Sequence, residues 1–172
     1  MANSNSEEIH GFEKEFNNSK ECYPEVIPLL EEHFGAKFVE SPKELDKKGS
    51  DLFNGIVHID VKYNWQYFNR NFIVEYPSSH GKGWLFSEDS ITDYLLWWTK
   101  DIISLIEFRG LQSKCIENEE AIRQRFGTMK VTSEEWGQKW RVDISKVPMH
   151  HIQRHIVKEW VRQEREEFEN NF

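Results

Sequence analysis

Residues 51–62, DLFNGIVHIDVK, constrain the fold of this chain more than any other stretch. Asn54-Gly55 separates two apolar runs, and both central positions of a two-residue type I′ turn need positive φ, which Asn and Gly tolerate. With those two residues as the loop, Phe53 is expected opposite Ile56, Leu52 opposite Val57 and Asp51 opposite His58. Side chains alternate along a strand, so His58, Asp60 and Lys62 share one face. Asp51, across from His58, joins them. Leu52, Val57, Ile59 and Val61 form an apolar stripe on the other face, suited to a core. The polar face thus collects two carboxylates, an ammonium and an imidazole.

The flanking chain predicts both helices and strands. Residues 1–6 read as a polar, disordered end. Ile9, Phe12 and Phe16, then Val26, Leu29, Leu30 and Phe34, recur at helical spacing and predict helix over about 7–34. Tyr23-Pro24 divides it and Gly35 caps it. Residues 36–40 read as a strand and 41–50 as a polar loop. Further strands are expected at 72–76, 94–98, 102–108 and 139–144, with a turn at Thr99-Lys100-Asp101. A helix is expected over 109–126. A long C-terminal helix is expected to start at Ser145, with Ser145 as N-cap and Ile152, Ile156 and Trp160 as its apolar stripe. Consecutive Trp97 and Trp98 must face opposite sides of their strand. No linker or repeat divides the chain. It reads as one domain over 1–172, of α/β class, with a mixed, roughly five-stranded sheet flanked by helices.

The 172 residues are 38% hydrophobic and 14% aromatic, too rich in large apolar side chains for a disordered chain. The net charge of -8 argues against a broad basic surface for nucleic acid. Phosphate contact would rest on metal ions or on a local patch, and residues 150–165, HHIQRHIVKEWVRQER, are the most basic stretch. Trp65 and Tyr67 are candidates for base stacking, with core packing as the plainer reading. Cys22 and Cys115 are isolated, which suits reduced thiols and a cytoplasmic protein. His80, His150 and His151 lack partners at zinc spacing and read as surface residues. No apolar stretch is long enough for a signal peptide or a membrane span, so no membrane partner is expected.

Hard divalent cations take oxygen ligands, often one or two carboxylates with retained waters. Asp51 and Asp60 can supply them, and Lys62 stands two residues on, where an ammonium can offset phosphate charge. The same tripeptide pattern in Asp46-Lys47-Lys48 lacks apolar framing and reads as a solvated charge run. The plain alternative for the hairpin is an exposed face with a cross-strand ion pair, contributing less than about 1 kcal/mol.

From Asp51 to about Trp98 the chain resembles the PD-(D/E)XK nuclease superfamily, of restriction-endonuclease-like fold, in its compact phage-type form. The matching pieces are GSD at 49–51, IDVK at 59–62, NFIVEY at 71–76 and GWLFSEDSITDYLLWW at 83–98. Within them Asn71, Glu75, Thr92, Asp93 and Tyr94 follow the pattern. Asp stands where Glu is more frequent, and Ser50 where the superfamily's name has Pro. The resemblance implies a Mg²⁺- or Mn²⁺-dependent endonuclease acting on DNA, structure-selective in the manner of a junction resolvase. A homodimer, an RNA endonuclease and a catalytically silent binding module stay open. It implies Asp51, Asp60 and the Val61 backbone carbonyl as metal ligands and Lys62 as the catalytic lysine. Glu75 and Glu13 are further metal candidates, with Glu8 and Glu15 competing for the first-helix position. His58 is a candidate for substrate contact.

Overall fold

The computed structural model describes residues 19–63, 70–135 and 137–163. The expected disordered end 1–6, the helix over 7–18 with Glu8, Glu13 and Glu15, the stacking candidates Trp65 and Tyr67, and the chain beyond 163 lie outside the described residues.

The protein is mixed α/β, with two sheets and several helices. After a 3-10 turn at Ser19–Cys22 comes helix α1 (Tyr23–Phe34). Pro24 occupies its first turn, where a missing N–H costs nothing, and Gly35 ends it at φ 65°, donating its N–H to the Glu31 carbonyl at 2.8 Å. Strands β1 (Val39–Glu40), β2 (Leu52–Phe53), β3 (His58–Lys62), β5 (Tyr94–Trp98), β6 (Ile102–Glu107) and β9 (Ile156–Val161) form a six-stranded sheet in that order. Its one parallel pairing is β3 with β5; all others are antiparallel. A second, antiparallel sheet runs β4 (Asn71–Glu75), β8 (Gln138–Pro148), β7 (Met129–Glu135). The short helices α2 (Lys43–Asp46) and α3 (Gly83–Phe86) lie in connections, and α4 (Phe108–Glu117) and α5 (Glu119–Phe126) follow β6.

The large sheet is covered on both faces. On one, Val26 and Leu30 of α1 pack with Leu52, Ile59, Val61, Leu96, Trp98, Ile103 and Leu105. On the other, Leu95, Trp97 and Ile106 meet Phe72 and Val74 of β4, Val142 and Ile144 of β8, and Leu111 of α4. Burial on both faces explains why residues 94–98, YLLWW, are apolar at every position rather than alternating. Trp97 and Trp98 do take opposite faces, one in each core.

Five expectations are corrected, the first being the single five-stranded sheet: the strands divide into a six-stranded and a three-stranded sheet. The hairpin bends at Asn54-Gly55, but its loop has four residues: Phe53 pairs with His58 and Leu52 with Ile59. Asn54 Oδ1 accepts the N–H groups of Ile56 and Val57 at 2.9 and 2.7 Å, and that side-chain turn lengthens the loop by two residues. The polar stretch 41–50 contains α2. The single helix expected over 109–126 is two, broken at Asn118. The long C-terminal helix does not form: β8 runs to Pro148, short 3-10 turns follow, and Ile156–Val161 is a strand. Here the demand of β6 and β4 for hydrogen-bonding partners overrides a helical spacing of Ile152, Ile156 and Trp160. The basic stretch is therefore not a helix face.

Candidate active site

Strand β3 places Asp60 and Lys62 on the face toward the second sheet, because Ile59 and Val61 take the α1 side. Across the parallel pairing Asp60 lies beside Leu95 and Lys62 beside Trp97. Both polar side chains are therefore at the margin of a core. Asp60 is 5% exposed and Lys62 7%, so the pair is no solvated surface feature. Lys62 Nζ donates to Asp60 Oδ1 at 2.9 Å.

Asp51 precedes β2. Its N–H goes to the Ile59 carbonyl at 2.8 Å, and its Oδ2 accepts the Val61 N–H at 2.7 Å. The side chain thus takes over the edge of β3 where the two-residue strand β2 has ended. The loop leading to Asp51 is held from behind: Thr92 Oγ1 donates to the Gly49 carbonyl at 2.6 Å and Ile91 N–H to that of Lys48 at 2.9 Å. Gly49, at φ 92°, has no room for a side chain, since a Cβ would lie 2.5 Å from Thr92 Oγ1. Asp51 is half-buried as a residue, and its carboxyl lies on the buried side.

Two carboxylates this close are not comfortable. Burial, then the charge of Asp60, holds the Asp51 carboxyl well above the usual carboxylate range, against the opposing pull of Lys62. A side-chain hydrogen bond with Asp46 raises it further, and the Val61 N–H lowers it. For Lys62, burial favours the neutral amine, but Asp60, Asp51, the hydrogen bond to Asp60 and Glu75 outweigh it and raise the ammonium's pKa. Lys62 is a cation held among acids.

Among the other candidates, Glu75 stands on β4 of the second sheet, accepts Trp84 Nε1–H at 3.0 Å, and adds its charge to the field at Lys62. His58 lies at the turn end of β3. Its Nδ1 is 2.9 Å from Ser50 Oγ, which is 2.9 Å from Ser41 Oγ, and its ring stacks on Phe53 at 6.0 Å. Asp93 Oδ2 accepts the His58 backbone N–H at 2.8 Å, and Tyr94 packs on Phe34. Asp93 and Thr92 thus fasten the hairpin rather than reach the carboxylates.

The structure brings Asp51, Asp60 and Lys62 together and adds two residues that sequence reasoning missed. Asp46, read as a solvated charge, sits at the end of α2 and helps raise the Asp51 carboxyl. Trp84 lies over Lys62, its ring centroid 4.7 Å from Nζ. Asp46 had matched the tripeptide pattern but read as solvated, whereas Trp84 had no signal, since it meets Lys62 from 22 residues along the chain.

Asp51 and Asp60 are oxygen donors of the kind hard divalent cations take. Mg²⁺ or Mn²⁺ is held by one or two carboxylates plus water, while burial and the charge of Asp60 favour the neutral form of the Asp51 carboxyl. Among the described residues no group of three His, Cys, Asp or Glu side chains is arranged to hold a metal by itself. Both free cysteines, Cys22 and Cys115, are buried, and burial pushes each thiol up to about 12, away from any ligand role. No helix among the described residues is long and apolar enough to cross a membrane.

Comparison with protein-family models, curated proteins and solved structures found no match.

Proposed function

We propose that the protein is a metal-dependent endonuclease hydrolysing phosphodiester bonds in DNA, with branched DNA as the expected substrate. The observation that carries this reading is the cluster itself: Asp51 just before β2 and Asp60 on β3, with the Lys62 ammonium 2.9 Å from Asp60 and Asp51 bonded to the Val61 N–H. Asp51 and Asp60 would hold Mg²⁺ or Mn²⁺. The Val61 carbonyl would join them, since a strand residue's N–H and C=O point to the same edge and the Val61 N–H already meets Asp51. Bound metal supplies Lewis-acid polarisation of the phosphate and a more acidic water. Lys62 Nζ donates hydrogen bonds to a phosphate oxygen and stabilises the negative charge that builds as the water attacks. Asp46, next to Asp51, is placed to hold a metal-bound water. Glu75 adds to the acidic surroundings, led by Asp60 and Asp51, that favour the Lys62 ammonium. His58 would approach phosphate only on giving up Ser50.

A second reading, a catalytically silent binding module, is favoured by the depth of the Lys62–Asp60 pair, whose side chains are 9% and 7% exposed. A cleavage screen separates them. Single-strand, duplex and four-way-junction DNA and single-strand RNA are incubated with Mg²⁺, Mn²⁺ or EDTA. Metal-dependent cutting of DNA that Asp60→Asn abolishes is the expected result. RNA cutting alone would move the substrate class, and no cutting of any substrate supports the silent module.

A further inference from the structure

We propose that Trp84 is a positioning residue that locks Lys62 and Glu75 into one site; this rests on the nuclease reading of that site. Trp84 uses two parts of one side chain. Its ring lies 4.7 Å from Lys62 Nζ, within the range at which an ammonium is attracted by an indole face, and its Nε1–H donates to Glu75 Oε2 at 3.0 Å. The two residues it touches come from different sheets, β3 and β4, which share no backbone ladder. Without a bridge, nothing in the hydrogen-bonding of either sheet sets the distance between them.

The bridge is itself held rigidly. Phe72 meets the Trp84 ring edge-on at 6.0 Å and Trp97 lies 6.5 Å away, so the indole is an outer member of the core between the sheets. Gly83 brings α3 close enough: at φ 70°, its absent Cβ would stand 3.2 Å from Glu75 Oε1. One short helix thus presses Gly83 and Trp84 against the same carboxylate. Lys62 Nζ is held between the Asp60 carboxylate on one side and the Trp84 ring on the other. The indole face limits where Nζ can go, so the ammonium stays aimed at the carboxylate cluster when substrate enters. Trp84 acts on the reaction through Lys62 and Glu75, not by touching phosphate.

Two readouts on the full chain test this. In the first, a brief acetylation pulse is read at Lys62 by peptide mass spectrometry, with exposed Lys130 as internal reference. Trp84→Leu should raise Lys62 labelling about tenfold, the order expected when an aromatic cover and its cation contact are lost, while Trp84→Phe should label like the native protein. Unchanged labelling in Trp84→Leu, or wholly exposed Lys62 in Trp84→Phe, overturns the proposal. The second readout is cleavage with Mn²⁺. Trp84→Leu should lower kcat about tenfold with KM within about twofold. Trp84→Phe, which keeps a ring but loses the N–H, should lower kcat less, and that loss should shrink in a Glu75→Ala background, which has no acceptor for the N–H. Additive losses overturn the proposal, and Trp84→Phe carries this arm if Trp84→Leu does not melt cooperatively. A native protein that cuts nothing defeats the nuclease reading, while labelling still decides whether Trp84 holds Lys62.

Discussion

The Asp51 carboxylate accepts the Val61 backbone N–H at 2.7 Å, so the loop before β2 is fastened to the strand that carries Asp60 and Lys62. One side chain therefore serves as a structural acceptor and as a charge in the candidate metal site. The two roles come apart by substitution. Asp51→Asn keeps an oxygen for Val61 and removes a crowded charge, so stability in urea should stay equal or rise. Asp51→Ala leaves the N–H without its acceptor and should cost about 1–3 kcal/mol. Equal stabilities for the two variants would mean the bond contributes nothing.

Metal should stabilise the native protein, because a ligand bound only by the folded state shifts the unfolding equilibrium. At a hundredfold excess over Kd the gain is about 2.7 kcal/mol. Differential scanning calorimetry with Mn²⁺ should show the rise in the native protein and none in Asp51→Asn/Asp60→Asn. A rise of equal size in the double variant would place the metal elsewhere.

Lys62→Ala has a consequence that follows from its burial. Removing the ammonium leaves Asp60 charged and 5% exposed with its partner gone, a change that typically costs about 3–5 kcal/mol. Without metal the variant should melt well below the native protein. With Mn²⁺ much of that loss should return, giving a larger metal-induced rise in Tm than in the native protein. Cleavage should fall by about 10²–10³ even when metal restores the fold. A variant as stable as the native protein in EDTA would contradict the buried pair.

Gly49→Ala should damage the site without touching it. The new Cβ would lie 2.5 Å from Thr92 Oγ1, at a backbone φ of 92° that Ala adopts poorly. Displacing residues 47–50 moves Asp51. A drop in Tm together with a weakened metal response is expected, and Thr92→Ser should not repair it, since the hydroxyl remains.

Strong acid should also weaken the fold away from the site. Asp143 on β8 accepts Lys130 Nζ at 3.0 Å and lies 3.5 Å from Arg123 Nη1. The Lys130 hydrogen bond, with Lys130 and Arg123 charge behind it, holds the carboxyl below its ordinary 3.8 despite partial burial. A depressed carboxylate stabilises the fold above the ordinary value and loses that contribution as pH falls through the folded one. The stability gap between native protein and Asp143→Asn should be widest near pH 7 and close below about pH 4. A gap that is constant over that range would remove Asp143 from the acid response.

The local punctuation of the chain was readable because it is local. Pro24 and Gly35 bound α1, Asn54-Gly55 marks the hairpin bend, and YLLWW and IISLIE are strands with Thr99–Asp101 between them. The hairpin register was not, since it hangs on the Asn54 side chain choosing the N–H groups of Ile56 and Val57 over a two-residue turn. Nor was β9: a sequence that can turn as a helix pairs with β6 because that strand otherwise ends the sheet unpaired.

Alternation alone decided that Asp60 and Lys62 would share a face and that Ile59 and Val61 would fill a core, because the pleat has period two whatever surrounds it. Only the tertiary structure decided what that face meets. The second sheet and α3 fold over it, so a hairpin edge that could have been solvated became a buried cation among carboxylates, with Glu75 and Trp84 brought in from β4 and α3. Contacts of that kind depend on sheet packing, which no spacing within 51–62 encodes. Burial is also what gives the cluster its strength, since charges interact far more strongly away from water.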